Sequence, residues 1–288
     1  MAHSSALDHA DAQHRPTRAP QETQNGASSA ATIQRLRASV TDPHSMYLTI
    51  VIPAWQEAKR LGPTLDRIRR YLEKQSWNGE VVVVVDGGND GTLELARTRA
   101  TQWTALHVPV NNLNHGKGYS VRRGILEARG QYVIFSDADL STPIEEVEHL
   151  IDAIEAGADI AVGSRALAGS DIQVRQTWWR ESMGHLFNLV VRVVAVPGVR
   201  DTQCGFKCFR RSVAQRIFRR QRINRFAFDV EIFWIARKLG LQVAEIPVTW
   251  RNDAHSHVHP LRDAAQMFID LIRLRLSDWH RNYKNPEQ

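Results

Sequence analysis

The 288-residue chain has few cysteines and no long apolar run, and each scarcity excludes a class of protein. Its two cysteines, Cys204 and Cys208, are too few for a disulfide framework or a four-cysteine zinc site. No stretch of 18 or more apolar residues is present, so we expect no transmembrane helix. The amino terminus lacks the apolar core of a signal peptide, so we expect a soluble or peripheral cytoplasmic protein.

Aromatic residues are missing from residues 1–44, which contain no Phe, Trp or Tyr. Such a segment cannot bury enough apolar surface to offset the entropy of ordering it, so we predict that it is disordered. The whole chain is 43% hydrophobic, which is ample for one large domain. We therefore predict a folded domain over residues 45–276 and a short C-terminal tail over residues 277–288.

Acidic residues are outnumbered, with 31 Asp and Glu against 37 Lys and Arg. A basic surface indicates an anionic partner, which could be nucleic acid, a phosphorylated substrate or a membrane. The basic residues are not interleaved with aromatics as a base-stacking platform requires, so we expect no nucleic-acid binding. The sequence is compatible with an oligomer but does not indicate one.

Strand-like and helix-like segments alternate from Tyr47 onwards. Apolar runs predict strands over residues 47–52, 81–85, 106–110, 132–135 and 159–163, and helical patterns lie between them. This alternation predicts an α/β fold with a mostly parallel sheet and helices on both faces.

Beyond Ser164 the pattern changes. Trp178 and Trp179 precede an apolar run at residues 186–196, which fits an interfacial, membrane-facing helix, with a core helix as the alternative. Residues 205–225 carry eight basic residues and no acidic one, and residues 262–276 predict a final amphipathic helix.

Two carboxylates, Asp137 and Asp139, follow the strand at residues 132–135. Ligands of open α/β sheets bind at the carboxyl ends of the strands. Mg²⁺ typically takes one or two carboxylates together with phosphate oxygens. The pair therefore predicts a metal site, although such pairs are also common in acidic turns.

Further polar residues are expected near that pair. Asp86 ends the second strand, either as a ligand for a base or ribose or as a turn cap. Lys117 lies between glycines at a helix start, which suits an anion. Arg165 follows the fifth strand, and Asp201 belongs to a polar turn before an apolar run.

These segments together resemble the inverting family 2 glycosyltransferases, which have a GT-A fold. Within that family the chain is most similar to the dolichyl-phosphate β-glucosyltransferases and related polyprenyl-phosphate glycosyltransferases. The resemblance extends over about residues 47–275 and lies in LTIVIPAWQE, VVVVVDGGNDGT, NHGKGYSVRRGI, SDADLSTP, VGSR and DTQCGFKCFRR. The chain departs from the usual Asp-Asp-Gly-Ser turn, because the first Asp falls on Val85.

The resemblance implies a nucleotide-sugar half at residues 45–165 and an acceptor half at residues 166–276. It implies that Asp139 and Asp137 hold Mg²⁺ or Mn²⁺. The implied catalytic residues are Asp137, Asp139, Arg165 and Asp201. The implied nucleotide-sugar contacts come from Pro53, Ala54, Glu57, Asp86, Lys117, Asp137 and Ala138.

The acceptor decides whether a base is needed. An alcohol acceptor needs a general base, and Asp201 would then be the first candidate, with Asp229 and Glu231 behind it. A lipid phosphate is largely a dianion near neutral pH and needs cations instead. The candidates for binding such a phosphate are Arg175, Arg180, Lys207 and Arg225.

The sequence thus predicts inverting transfer of glucose from UDP-glucose to a polyprenyl or dolichyl phosphate. We expect peripheral attachment to the cytoplasmic face of a membrane. One alternative is a family 2 enzyme that uses a soluble or saccharide acceptor with Asp201 as base. Another is a membrane-associated nucleotide-sugar binder without activity, which the departure at Val85 motivates.

Overall fold

A computed structural model describes residues 45–174, 198–251 and 260–280. The predictions for residues 1–44 and 178–196, most of the C-terminal tail, and the roles of Arg175 and Arg180 lie outside these ranges.

A mostly parallel sheet forms the centre of the fold, as predicted. Its strands are β1 (Met46–Ala54), β2 (Asn78–Asp86), β3 (Leu106–His107), β4 (Val110–Asn111), β5 (Tyr132–Ser136), β6 (Ile160–Ser164), β8 (Phe206–Arg210) and β9 (Val243–Pro247). Their order across the sheet is β3-β2-β1-β5-β8-β6-β9. Strand β4 pairs with the carboxyl end of β2, on the same side as β3. A second, two-stranded parallel sheet joins β7 (Asp171–Val174) to β10 (Thr249–Arg251).

Seven helices of the described part surround the sheet. They are α1 (Ala58–Leu72), α2 (Thr92–Thr101), α3 (Lys117–Glu127), α4 (Val147–Glu155), α5 (Arg211–Phe218), α6 (Phe228–Lys238) and α7 (Pro260–His280), with a 3₁₀ turn at Ile144–Glu146 before α4. In the described ranges, none of these helices combines the length and apolar character needed to cross a bilayer.

The burial of strand β2 shows that the main sheet is covered on both faces. All five valines at residues 81–85 in β2 are buried. Successive side chains of a strand point to opposite faces, so a run without alternation needs apolar cover on both. The spacing of Leu61, Leu65 and Ile68 on α1 gives a buried helical stripe, as predicted.

The third strand differs from the prediction. Residues 106–110 form two separate two-residue strands, β3 and β4, on either side of Val108 and Pro109. Proline has no N–H to donate to a sheet, whereas its carbonyl still accepts the Val85 N–H at 3.0 Å.

Strand β8 runs antiparallel between β5 and β6, which the sequence did not indicate. Ser136 at the carboxyl end of β5 pairs with Phe206 at the amino end of β8. The turn at residues 201–205 therefore lies at the edge where the parallel strands end. We call this the carboxyl edge.

Candidate active site

Asp137 and Asp139 lie at the carboxyl edge, directly after β5. Their side chains are 38% and 19% exposed. Asp139 accepts the Ser141 N–H at 2.9 Å, and its second oxygen lies 4.0 Å from the Arg60 guanidinium. Burial, and then repulsion from Asp137, raise the pKa of Asp139. Two accessible carboxylates with few donors fit a hard divalent cation that completes its shell with phosphate oxygens.

The Lys117 side chain extends from the start of α3 to Asp137 of this pair. Its ammonium lies 2.6 Å from an Asp137 carboxylate oxygen. Burial would lower the pKa of Lys117, but the charges of Asp137 and Asp229 outweigh it and raise that pKa. The lysine therefore stays cationic beside the carboxylates, as an anion-binding role requires.

The turn at residues 201–205 packs directly against the carboxylate pair. A β carbon on Gly205 would lie 2.1 Å from an oxygen of Asp137, well inside van der Waals contact. A side chain at residue 205 would therefore have to displace the Asp137 carboxylate from its position beside this turn.

Arg165 and Asp201 form a bidentate pair beside that turn, in which Asp201 is buried and the Arg165 side chain is 26% exposed. Arg165 donates from Nε at 2.7 Å, from Nη2 at 2.9 Å and from its backbone N–H at 3.0 Å to Asp201. The Trp250 ring lies 5.3 Å from the guanidinium carbon. Burial would raise the pKa of Asp201, but the charge and hydrogen bonds of Arg165 hold that pKa below its ordinary value. A carboxylate so stabilised as an anion is a weak proton acceptor, which weighs against Asp201 as a general base.

The structure corrects the prediction that Lys207 binds an acceptor phosphate. Lys207 is fully buried, and its ammonium donates to Asp229 at 2.5 Å and to the Cys204 carbonyl at 2.6 Å. Burial raises the pKa of Asp229 although Lys207 and Lys117 oppose the shift. Lys207 therefore acts as an internal counter-ion that a ligand cannot reach.

Glu231, a reserve candidate for the base, is also buried. Its two oxygens accept the N–H groups of Arg222 and Ile223 at 2.9 and 2.7 Å. This carboxylate fixes the loop between α5 and α6.

Asp86 does not present a free carboxylate to the site, contrary to the role the sequence implied. It is buried, and it accepts the Asn111 side-chain amide at 2.7 Å and the N–H groups of His115 and Gly116 at 3.1 and 2.7 Å. Gly116 has φ +104°, and a β carbon there would lie 2.5 Å from the Asn224 carbonyl. Asp86 thus holds the loop that leads to Lys117.

The turn after β2 contains a residue that the sequence analysis did not single out. Asp90 accepts the Ala58 N–H at 3.0 Å and the Thr92 hydroxyl at 2.6 Å, and that hydroxyl accepts the Glu57 N–H at 2.8 Å. Burial would raise the pKa of Asp90, but these hydrogen bonds lower it. The signal was available, because Asp and Thr two residues apart beside Gly91 is an Asx-turn spacing.

Arg60 was also missed. It pairs with Glu57 through two hydrogen bonds of 2.7 Å, and its third nitrogen lies 4.0 Å from Asp139 Oδ2. Glu57 therefore positions a cation beside the carboxylate pair. Residues three apart share a face of a helix, so this pairing was in principle visible.

The remaining predicted nucleotide contacts lie at the same edge. Pro53 is half-buried at the end of β1, whereas Ala54 and Ala138 are buried. Gln56 and Leu140 have φ values of +55° and +46°. They are the non-glycine residues of the described ranges with left-handed backbone, and such strain clusters at functional sites.

Arg225 is the predicted phosphate ligand whose described position fits that role. It is exposed, and a β carbon on Gly116 would lie 3.2 Å from its Cγ. Its side chain therefore starts beside the residue that precedes Lys117 and is exposed to solvent, which is compatible with contact to an anion.

Comparison with known proteins identifies relatives of the chain. The family model described as glycosyl transferase family 2 matches residues 49–218. A dolichyl-phosphate beta-glucosyltransferase of Dictyostelium discoideum is 35% identical over 245 residues, which cover 80% of this chain and 74% of that protein. A dolichyl-phosphate beta-glucosyltransferase of Drosophila melanogaster is 36% identical over 249 residues, with 82% and 76% covered.

A solved structure shares the fold. Glucosyl-3-phosphoglycerate synthase from Mycobacterium tuberculosis, in complex with Mn²⁺, UDP-glucose and phosphoglyceric acid, aligns with a TM-score of 0.59. The identity is 17%, and the alignment covers 92% of this chain and 85% of that one. The matched family model and the two relatives show that the chain belongs to glycosyl transferase family 2.

Proposed function

We propose that the protein transfers glucose, with inversion, from UDP-glucose to a polyprenyl phosphate of the dolichyl type. The names of the two relatives support the sugar and the acceptor. The observation that carries the proposal is the state of the candidate bases. Asp201 is bound by Arg165, Asp229 by Lys207, and Glu231 by two backbone N–H groups.

Because these three described candidates are already paired, they suit an acceptor that needs no base. The second pKa of a phosphate monoester is about 6, so the acceptor oxygen already carries negative charge near neutral pH. That oxygen forms a bond to C1 of glucose as the bond from C1 to the UDP oxygen breaks, and no proton has to be removed. An alcohol acceptor would require Asp201 to give up its pairing with Arg165.

The chain's own residues have distinct roles in this scheme. Asp139 and Asp137 would hold a divalent cation, Mg²⁺ or Mn²⁺, and a cation there would act as a Lewis acid for the departing diphosphate. The solved synthase was obtained with Mn²⁺, which supports this assignment. Lys117 would neutralise diphosphate oxygens, Arg165 would contribute a fixed cation, and Arg225 would bind the acceptor phosphate.

We also propose that the protein works at a membrane, on the cytoplasmic face. A polyprenyl phosphate lies in a bilayer, and the formal charge of +6 favours an anionic leaflet. The two cysteines are free and buried, which is compatible with a reducing compartment.

The experiment is transfer from a panel of labelled nucleotide sugars to a short polyprenyl phosphate, with Mg²⁺ or Mn²⁺ and with a lipid-free control. We expect a lipid-linked product from UDP-glucose. Donor hydrolysis without a lipid product would contradict the acceptor, and transfer from another donor would contradict the sugar.

A further inference from the structure

Helix α7 has apolar side chains on two sides. Leu271 and Leu274 are buried in the core. On another side, four large apolar side chains are 43–61% exposed, namely Phe268, Ile269, Ile272 and Leu276. At 3.6 residues per turn these four fall within an arc of about 100°. An apolar stripe of this kind on a helix surface indicates a partner.

Two arginines border the stripe. Helical spacing places Arg275 at one margin and Arg273 at the other. The Arg273 side chain is 71% exposed and lies 3.6 Å from Asp270, and the Arg275 guanidinium lies 5.6 Å from the Trp234 ring centroid. Long cationic side chains can keep their heads among lipid phosphates while the residues between them enter the apolar layer. A second protein copy would instead have to cover these cations, at a desolvation cost.

We propose that this face of α7 binds the surface of a phospholipid bilayer that contains anionic lipids, with the helix parallel to the membrane plane. The stripe and its cationic margins have the pattern of an interfacial helix. The inference rests on the proposed function in one respect, because the bilayer would supply the polyprenyl phosphate acceptor. Vesicle binding itself can be measured without any transfer reaction.

The first test compares two variants of the full chain in sedimentation with vesicles of phosphatidylcholine and phosphatidylglycerol. Ile272→Glu puts a charge into the stripe and should lower partitioning about tenfold, because apolar burial is lost and a carboxylate faces lipid phosphates. Thr98→Glu adds the same charge at an exposed position of α2 and should leave partitioning near that of the wild type. Equal partitioning of Ile272→Glu and the wild type would overturn the proposal.

A second test reports the location of contact. Cys204 and Cys208 are buried, so the variant Ile272→Cys can be labelled selectively at residue 272 with an environment-sensitive fluorophore. Vesicles should shift its emission to the blue, whereas the same label at residue 98 should not respond. Vesicle binding without a shift at residue 272 would place the contact elsewhere. A blue shift at residue 272 that appears without vesicles, when only the protein concentration is raised, would assign this face to a second copy of the chain.

Failure of the inference and failure of the proposed function are distinguishable. Ile272→Glu should glucosylate a short, water-soluble polyprenyl phosphate as fast as the wild type and a long one in vesicles more slowly. Loss with both acceptors would overturn the membrane role of residue 272. A wild type that binds vesicles through α7 yet glucosylates neither acceptor would support the inference and contradict the function.

Discussion

The two edges of the sheet each hold a carboxylate close to an arginine, but only one of these carboxylates is accessible. At the amino edge, Glu80 is buried and accepts from Thr49 at 2.7 Å and from Arg129 through its backbone N–H, Nε and Nη2 at 2.8, 2.7 and 2.5 Å. At the carboxyl edge, Asp139 accepts one backbone N–H and lies 4.0 Å from Arg60.

The electrostatics of the two carboxylates differ in the same way. Burial would raise the pKa of Glu80, but Arg129 and Thr49 outweigh it and lower that pKa. Burial and Asp137 raise the pKa of Asp139. Glu80 accepts four hydrogen bonds, which makes it a structural residue. Asp139 accepts one backbone N–H, and its negative charge suits a cation. The comparison predicts that loss of Asp139 harms activity and loss of Glu80 harms stability.

The largest effect is expected at Asp139. Asp139→Asn should lower glucose transfer about a thousandfold, because a metal-assisted departure of the diphosphate is worth several kcal/mol. Thermal stability should stay the same or rise slightly, since one of two repelling carboxylates is removed. Transfer rates and thermal melts of the same preparation check both statements. Substantial residual turnover would contradict the metal role.

The second-largest effect is expected at Glu80, where stability rather than activity should be lost. Glu80→Ala leaves the buried Thr49 hydroxyl and the Arg129 backbone N–H without their acceptor, and should lower the free energy of unfolding by about 2 kcal/mol. Urea unfolding measures this change. Activity per folded molecule should remain near the wild-type value. A stable variant with lost activity would reverse the assignment of the two edges.

A pH-dependent effect is expected at Asp201. Its folded-state pKa is lowered, so its pairing with Arg165 stabilises the fold above the ordinary Asp pKa of about 4 and is lost as the pH falls through the lowered value. Asp201→Asn should therefore be less stable by about 2 kcal/mol at neutral pH. The difference should vanish in acid, as unfolding curves across a pH series will show. A difference independent of pH would argue that packing, not charge, stabilises this pair.

The smallest effect is expected at the exposed Arg225. Arg225→Ala should raise the KM for the acceptor about tenfold, because one charge-assisted hydrogen bond to phosphate is lost. The KM for the donor should not change. Arg216→Ala, at an exposed position of α5, is the matched control and should change neither constant. An equal effect of both substitutions would indicate a general electrostatic contribution.

Much of the fold could be predicted because local patterns determine it. The valine run at residues 81–85 and the spacing of Leu61, Leu65 and Ile68 each define a strand or a helix without reference to distant residues. The direction of β8 could not be predicted, because a single strand pattern fits parallel and antiparallel pairing equally.

The same limit applies to the site. Asp137 and Asp139 were visible as a pair after a strand. Lys207 looked like a surface cation within a basic run, yet it is buried because Asp229, 22 residues away, compensates its charge. Asp86 was compatible with a ligand or a turn cap, and only the fold brings the N–H groups of residues 115 and 116 to it. Partners distant in sequence decide whether a charge is saturated, and sequence spacing does not reveal them.

The most direct test of this account is glucose transfer by the wild type, Asp139→Asn and Glu80→Gln, measured side by side with labelled UDP-glucose and a polyprenyl phosphate, per folded molecule. The account predicts that the wild type and Glu80→Gln form the lipid-linked product at similar rates and that Asp139→Asn forms it about a thousandfold more slowly. Equal activity of Asp139→Asn and the wild type, or equal loss in both variants, would contradict the claim that the accessible carboxylates of the carboxyl edge carry the reaction.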